Sequence, residues 1–279
     1  MEKKSILITG CSSGIGLCVA EGLLKLGYRV FATARKNEDV EALLNQGMES
    51  FQLDLDNSSS IKGAVNEVLN KTEGKLFALF NNGGFGQPGA VEDLRRDVLR
   101  EQFETNVFGY LELTNLILPT MRKQGYGRII QSSSILGFIS LPFRGAYTAS
   151  KHALEGLSDT LRMELRGTGI FVSIIEPGPI EAKFRQNAFE KYKQNIDTKS
   201  SNFRKQYENM EERLTKETAP LPFTLPATAV LEKVLRALES PKPKARYYVT
   251  KPTYLFAFLK RLLPEFLLEK LLIAAGGRG

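Results

Sequence analysis

The prediction of the fold rests on the stretch TGCSSGIG at residues 9–16. It follows an apolar segment at residues 5–9, typical of a strand buried on both faces. It precedes a helical pattern that runs from Ile15 to about Leu26. The glycines allow a tight turn and a close approach of backbone to a pyrophosphate, and the helix N-terminus offers free N–H groups. Strand, turn and helix in this order predict a dinucleotide-binding unit.

Downstream of this turn, the hydrophobic pattern keeps alternating between strands and helices. Helices are predicted near residues 39–44, 59–69, 91–122 and 147–166, and further strands at residues 30–33, 50–53, 76–80, 128–131, 171–175 and 246–249. This alternation predicts right-handed βαβ units in an α/β protein. We therefore expect residues 1–279 to form a single dinucleotide-binding domain built on a Rossmann-like, doubly wound parallel sheet.

Two segments fall outside that alternation. Residues 181–221, approximately, are polar, but an apolar helical stripe within them predicts a substrate lid: Phe203, Tyr207, Met210 and Leu214. A large apolar lid favours a lipophilic substrate. Residues 251–275, approximately, form an apolar tail in which Pro264 predicts two short helices. This tail suits either packing over the substrate pocket or lying on a membrane surface.

Composition excludes several classes of protein. Hydrophobic residues make up 42% and charged residues 25% of the 279 residues, as in folded globular proteins. The net charge of +7 is not gathered into a block of five or more like charges, which favours a phosphorylated small molecule over nucleic acid. One His and two Cys do not make a metal site. Without a signal peptide or a membrane-spanning run, a cytoplasmic location is expected.

A Ser, a Tyr and a Lys stand where carbonyl chemistry needs them. Ser134 follows a predicted strand, and Tyr147 and Lys151 are one helical turn apart on a shared face. Reduction of a carbonyl by a hydride leaves an alkoxide that Tyr147 can protonate, while Ser134 polarises the substrate oxygen. We expect the ammonium of Lys151 to lower the pKa of Tyr147 towards neutrality, since a cation about 4 Å away supplies about 4 kcal/mol. The alternative is a solvated helix pair.

Together these motifs resemble the short-chain dehydrogenase/reductase family in its classical form, over about residues 5–185. They are T-G-x-x-x-G-x-G, N-N-G-G at residues 81–84, Ser134 with Tyr147-x-x-x-Lys151, Asn106, and P-G-P-I at residues 177–180. The tail at residues 242–272 is similar to that of bacterial NADP-dependent aldehyde reductases in this family. The E-P-G-P stretch at residues 176–179 resembles the branch that holds retinol and 17β-hydroxysteroid dehydrogenases.

The resemblance implies catalytic roles for Asn106, Ser134, Tyr147 and Lys151. Asn106 would hold a relay water behind Lys151, which would also bridge to the nicotinamide ribose. The resemblance further implies cofactor-binding residues at the strand ends: Gly10, Ser12, Ser13, Gly14, Ile15, Gly16, Arg35, Lys36, Asp54, Leu55, Asn82, Gly83, Gly84, Tyr147, Lys151, Pro177, Gly178 and Ile180. Two positions depart from the family pattern. Gly83 replaces an Ala, and Ala182 replaces a Thr expected near the nicotinamide carboxamide.

The choice of cofactor is predicted from the end of the second strand. NAD-specific sites place an acid there to bind the ribose hydroxyls. Here Ala34 stands at that position, and Arg35 and Lys36 follow it. A guanidinium can stack on adenine and pair with a 2′-phosphate, so NADP(H) is predicted, with a solvated basic turn as the alternative. Asp54 is predicted either to contact adenine or to act as a turn acid.

The sequence thus supports an NADP(H)-dependent oxidoreductase that reduces lipophilic aldehydes or ketones as a homo-oligomer, without metal or nucleic acid. A hydroxysteroid- or retinol-type alcohol dehydrogenase is the main alternative. A non-catalytic NADP-binding regulator would be expected to lose Tyr147 or Lys151, which are both present. An epimerase or dehydratase of the extended branch is disfavoured by the turn spacing and by the lack of a large sugar-nucleotide domain.

Overall fold

The computed structural model describes residues 3–215 and 223–276, without the side chains of residues 212–215. Its centre is a seven-stranded sheet in the order β3-β2-β1-β4-β5-β6-β7. Every pair of neighbouring strands is parallel, which confirms the predicted doubly wound sheet. The strands are β1 (Ser5–Ile8), β2 (Arg29–Ala34), β3 (Glu49–Gln52), β4 (Ala78–Asn81), β5 (Gly127–Ser132), β6 (Ile170–Glu176) and β7 (Arg246–Tyr248).

Helices cover both faces of this sheet. In β1, Ile6 and Ile8 pack into one core with α1, α2 and α9, while Leu7 packs into the other with α3, α5 and α6. The helices of the described ranges are α1 (Gly14–Lys25), α2 (Asn37–Asn45), α3 (Ser58–Lys71), α4 (Arg96–Phe103), α5 (Tyr110–Gln124), α6 (Gly145–Glu164), α7 (Phe184–Asn195), α8 (Arg204–Thr215), α9 (Thr228–Glu239), α10 (Lys251–Leu262) and α11 (Glu265–Gly276).

Two local predictions differ from the structure. The helical region expected over residues 91–122 is divided into a 3₁₀ turn at Val91–Asp93, helix α4, a π-helical segment at Glu104–Gly109 and helix α5. The strand expected from residue 76 begins at Ala78. The side chain of Gln124 accepts from the Leu76 amide and donates to the Leu76 carbonyl oxygen, so these groups are not available to the sheet. Such long-range side-chain contacts leave no periodic signal in a sequence.

Helices α7 and α8 form the predicted lid segment, and helices α10 and α11 form the tail on either side of Pro264. Tyr207 and Met210 of the lid stripe are buried, and Phe203 packs against the same cluster. The side chain of Leu214 and residues 216–221 lie outside the described residues. Among the helices that the structure describes, none has the length and apolar character needed to cross a bilayer.

Candidate active site

The Gly-rich turn after β1 is bound to the segment after β4. The hydroxyl oxygen of Thr9 accepts hydrogen bonds of 2.9 Å from the backbone amides of Asn82 and Gly83. The side-chain amide of Asn82 donates to the carbonyl oxygens of Thr9 and Gly10 at 3.0 and 3.3 Å. The turn therefore lies where the strand order reverses between β1 and β4, at the carboxyl ends of the strands, as in dinucleotide-binding sheets.

The glycines of this turn are required by close backbone contacts. A Cβ atom on Gly10, whose φ is +70°, would lie 2.4 Å from the Cα atom of Gly83. A Cβ atom on Gly16 would lie 2.1 Å from the carbonyl oxygen of Gly10. Ser13 precedes α1 and makes no side-chain capping bond, so the first backbone N–H groups of the helix could bind an anion. This arrangement fits a pyrophosphate-containing cofactor.

The basic pair after β2 is exposed, whereas the acid after β3 is engaged in a turn. Arg35 and Lys36 are exposed next to the buried Ala34. The Asp54 carboxylate accepts from the backbone amide of Asp56 at 3.1 Å, as expected of a turn acid. Leu55 is buried, and its side chain lies next to Gly83.

The loop after β6 approaches the same edge of the sheet. The carbonyl oxygen of Pro177 accepts from the Ile135 amide at 2.8 Å. A Cβ atom built on Gly14 would lie 3.0 Å from the Cβ atom of Ala182, and one on Gly178 would lie 2.1 Å from the Thr250 hydroxyl oxygen. The structure thus brings this loop and the Gly-rich turn together. The individual roles of the predicted cofactor residues stay predictions.

The predicted Ser, Tyr and Lys meet at one end of α6. The phenol of the half-buried Tyr147 is hydrogen-bonded to the side chain of Ser134. The ammonium of Lys151 donates to the Ser132 carbonyl oxygen at 2.7 Å and lies 5.7 Å from the centre of the Tyr147 ring. It also lies 5.3 Å from the centre of the Tyr110 ring. A general acid, a hydrogen-bonding hydroxyl and a cation therefore share one small region.

The pKa values of this group differ from the sequence-based expectation. Burial raises the pKa of Tyr147 to about 12, and its hydrogen bond with Ser134 opposes that rise. Burial lowers the pKa of Lys151 to about 7, and the charge of Glu155 opposes that fall. The expectation that Lys151 brings the Tyr147 pKa towards neutrality is wrong for this structure, because desolvation of the phenol dominates. Tyr147 is therefore protonated at pH 7, as a proton donor must be.

Asn106 contacts helix α6 through the hydroxyl of Ser150. It is buried in the π-helical segment, a type of distortion frequent at functional sites. Its side-chain amide donates to the Phe85 carbonyl oxygen at 3.0 Å and to the Ser150 hydroxyl at 3.2 Å. Its side-chain oxygen accepts from the Phe85 amide at 3.3 Å. The water relay suggested by resemblance stays a prediction.

Sequence reasoning missed a charged cluster behind the site. Arg246 of β7 donates to Glu155 at 2.9 Å, to Asp159 at 2.7 Å and to Glu176 at 3.1 Å. Glu155 follows Lys151 by one helical turn, and Glu176 ends a buried strand. An acid at the end of an otherwise apolar strand is the signal that could have pointed to this cluster, because buried acids are rarely unpaired.

An apolar wall lies against Tyr147. The ring of Phe184, at the start of α7, lies 5.4 Å from the Tyr147 ring in an edge-to-face arrangement. Tyr147 also packs against one apolar cluster. The tail contributes Phe256, Leu259, Leu268 and Leu272 to this cluster, and we call these residues the inner face of the tail. Leu136 and Ile139, from the segment after β5, complete the cluster. This inner face therefore packs beside Tyr147, and its covering of a substrate pocket stays a prediction.

Comparison with known proteins agrees with the geometry. The family model for short chain dehydrogenases matches residues 4–193. The uncharacterized oxidoreductase YbbO of Escherichia coli is 45% identical, covering 97% of this chain and 94% of the relative. The NADPH-dependent 3-dehydrocapnine reductase of Ornithobacterium rhinotracheale is 33% identical over 95% and 94% of the two chains. Human 17-beta-hydroxysteroid dehydrogenase type 1 is also 33% identical, over 90% and 79%.

A solved structure shows the same fold. A short-chain dehydrogenase from Streptomyces avermitilis superimposes with a TM-score of 0.75 at 28% identity, covering 94% of this chain and 93% of that one. With a matching family model, similar relatives and a parallel sheet of the expected topology, the chain belongs to the short-chain dehydrogenase/reductase family of oxidoreductases.

Proposed function

We propose that this protein is an NADP(H)-dependent reductase of lipophilic aldehydes or ketones. The observation that carries the proposal is the group formed by Tyr147, Ser134 and Lys151, which lies against an apolar wall and beside the loops that fit a dinucleotide. Tyr147 donates the proton to the substrate oxygen, and Ser134 hydrogen-bonds to that oxygen and polarises it. The bound nicotinamide supplies the hydride.

Lys151 and Asn106 support this step in the proposal. The charge on Lys151 favours the phenolate that Tyr147 becomes once its proton is given up, and by resemblance to the family its ammonium would hold the nicotinamide ribose. Asn106 joins the Phe85 backbone to Ser150, and so holds α6 against the segment after β4. A water held by Asn106 would return a proton to the site from solvent.

NADP(H) is proposed over NAD(H) because the exposed Arg35 and Lys36 follow β2 with no acid at Ala34. The 2′-phosphate carries the charge that this pair can bind. The relative from Ornithobacterium, whose name specifies NADPH, supports the same choice. The cofactor-binding set predicted above, with Asp54 acting through its turn, is part of this proposal.

A lipophilic substrate is proposed because Phe184 and the inner face of the tail give Tyr147 apolar surroundings. The human relative acts on hydroxysteroids by its name, so a hydroxysteroid- or retinol-type alcohol dehydrogenase is the second candidate. A homo-oligomer and a cytoplasmic location belong to the proposal as predictions from the sequence and its resemblance.

The experiment is NADPH oxidation with a panel of long-chain aldehydes, retinal and 17-ketosteroids. Tyr147→Phe removes the acid and is expected to lower kcat by about a thousandfold, within the range of general acid catalysis. Tyr126→Phe, at an exposed tyrosine that precedes β5 and so lies at the opposite end of this strand from Ser134, is the control and should match the wild type. A wild type that binds NADPH but reduces no member of the panel would contradict the proposal and favour a non-catalytic regulator.

We also propose that the outer face of the tail contacts an anionic membrane surface. This face leaves large apolar side chains exposed: Leu255, Phe258, Leu262, Phe266, Leu267 and Leu271. Among described residues 251–276, four exposed cations accompany two exposed acids, which favours anionic headgroups. A lipophilic substrate held in a bilayer would then meet the tail beside Tyr147.

Sedimentation with vesicles tests this contact. The wild type should sediment with phosphatidylglycerol vesicles more than with phosphatidylcholine vesicles, and the double variant Phe258→Ser, Phe266→Ser should lose that binding. Leu26→Ser, an exposed apolar residue after α1, is the matched control. Absence of vesicle binding, with a change of oligomeric state in the double variant, would instead identify the face as a contact between copies of the chain.

A further inference from the structure

A buried pair of acids lies behind the proposed catalytic lysine. Glu155 of α6 is 7% exposed and Glu176 of β6 is fully buried. Arg246 of β7 connects them, donating to Glu155 through Nη2 at 2.9 Å and to Glu176 through Nε at 3.1 Å. The two acids and Arg246 thus connect α6, β6 and β7. Glu155 lies one helical turn after Lys151, on the same face of α6.

Each acid has one oxygen that Arg246 does not satisfy. Within the described residues, Oε1 of Glu155 and Oε2 of Glu176 are buried and have no hydrogen-bond partner. Two ionised carboxylates would leave two charged oxygens buried without donors, which is costly. One proton held between the two acids would satisfy both oxygens, as in other buried carboxyl pairs.

The surroundings indicate which acid holds that proton. Glu176 is the more buried of the two, and burial together with the neighbouring charge of Glu155 raises its pKa to about 9. Glu155 has the shorter contact with Arg246, whose Nη2 is shared with Asp159. Arg162 in turn pairs with Asp159 at 2.7 Å. These contacts favour placing the proton on Glu176, while Glu155 lies on the helix that carries Lys151.

We infer that Glu176 holds a proton shared with Glu155, and that the negative charge of Glu155 keeps Lys151 protonated during reduction. This inference rests on the proposed function. It makes Glu155 a positioning residue that acts through Lys151. The groups facing Lys151 are Tyr147 and Glu155 on α6, the Tyr110 ring on α5 and the Ser132 carbonyl of β5.

The physical reason is that burial disfavours the protonated form of Lys151, which is the form that the proposed reduction needs. Burial lowers the pKa of Lys151 to about 7, and Glu155 is the charged group that opposes this fall. Without that charge, the lysine would lose its proton at lower pH. The alkaline limb of the reductase profile would then move to lower pH, and each unit of movement costs about tenfold in rate above the limb.

The experiment compares pH profiles of kcat for aldehyde reduction in four proteins. Glu155→Gln should move the alkaline limb down by at least about one unit, so that the rate above the limb falls at least about tenfold. Glu176→Gln resembles the protonated acid and should leave the position of the limb unchanged, whatever its kcat. Glu164→Gln, an exposed acid of the same helix, should match the wild type in both respects.

A purely structural role predicts a different result. Both Glu155→Gln and Glu176→Gln remove a carboxylate contact of Arg246, so both would then lower kcat at every pH without moving the limb. That outcome would overturn the inference. A wild type without reductase activity would instead count against the proposed function itself.

Infrared spectroscopy provides a readout that does not depend on activity. At pH 7 ordinary carboxyl groups are ionised, so the carbonyl stretch of a protonated acid stands apart from the carboxylate bands. The wild type should show this band, and Glu176→Gln should lose it. A wild-type spectrum in which Glu176→Gln removes no such band at pH 7 would overturn the assignment of the proton.

Discussion

The Gly-rich turn and the tail differ in how they form a surface. The turn is made of backbone in close contact, in which a Cβ atom on Gly16 would meet a carbonyl oxygen at 2.1 Å. The inner face of the tail is made of large side chains, including Phe256 and Leu259, in the apolar cluster beside Tyr147. A cofactor with fixed phosphates suits a rigid backbone cradle, whereas an apolar substrate needs only surface of the right size. We therefore expect substitutions in the turn to have large effects on stability and cofactor affinity, and substitutions on the substrate side to have small effects on KM.

The largest effect is expected in the turn. Gly16→Ala places a methyl group against backbone, and such overpacking costs about 1–3 kcal/mol. We expect a lower melting temperature and NADPH binding weakened more than about tenfold, measured by calorimetry. Gly63→Ala, within α3 where a Cβ atom meets nothing, is the control and should stabilise the fold by about 0.5–1 kcal/mol. Equal melting temperatures and equal NADPH affinities of the two variants would contradict the close backbone contact inferred for the turn.

An intermediate effect is expected at the edge of the cofactor region. Arg35→Ala removes a charged donor, and hydrogen bonds of this kind contribute about 1.5–3 kcal/mol. The Kd for NADPH should rise roughly tenfold, at the lower end of this range because Arg35 is exposed, while the Kd for NADH should change little. Lys62→Ala, at an exposed cation on α3, serves as the control. A parallel weakening of both cofactors would show that Arg35 does not bind the 2′-phosphate.

The smallest effect is expected on the substrate side. Phe184→Ala removes a ring that is 40% exposed beside Tyr147, so only part of the burial energy of a Phe, about 1 kcal/mol, is lost. The KM for a long-chain aldehyde should rise about fivefold, with little change in kcat. Phe189→Ala removes a ring of the same helix that stacks on Tyr192 instead. A KM increase of the same size in this control would locate the effect in lid packing.

The local motifs were predictable because each rests on neighbouring residues. The Gly-rich turn, the Tyr147–Lys151 spacing and the break at Pro264 follow from short-range backbone rules. The structure has the expected elements at each of these places. The role of the tail was less predictable: its inner side packs beside Tyr147, its outer side is exposed, and the membrane contact weighed from its sequence stays a prediction.

The charges of the site were not predictable in the same way. The spacing of Tyr147 and Lys151 indicates that they are neighbours, but not how far the site is removed from water. Burial moves the Tyr147 pKa up to about 12 and the Lys151 pKa down to about 7. Desolvation depends on every element packed around a group, so no local motif contains it.

Short-range patterns in the sequence were enough to predict the family, the parallel sheet and the residues proposed for proton transfer, because glycine sterics and helical spacing act within a few residues. The charged groups that surround those residues became known only from the folded structure. Arg246 lies 91 residues from Glu155 and 70 from Glu176, and the three meet because β6 and β7 pair beside α6. Contacts over such separations arise from the packing of whole elements, which a sequence pattern does not record.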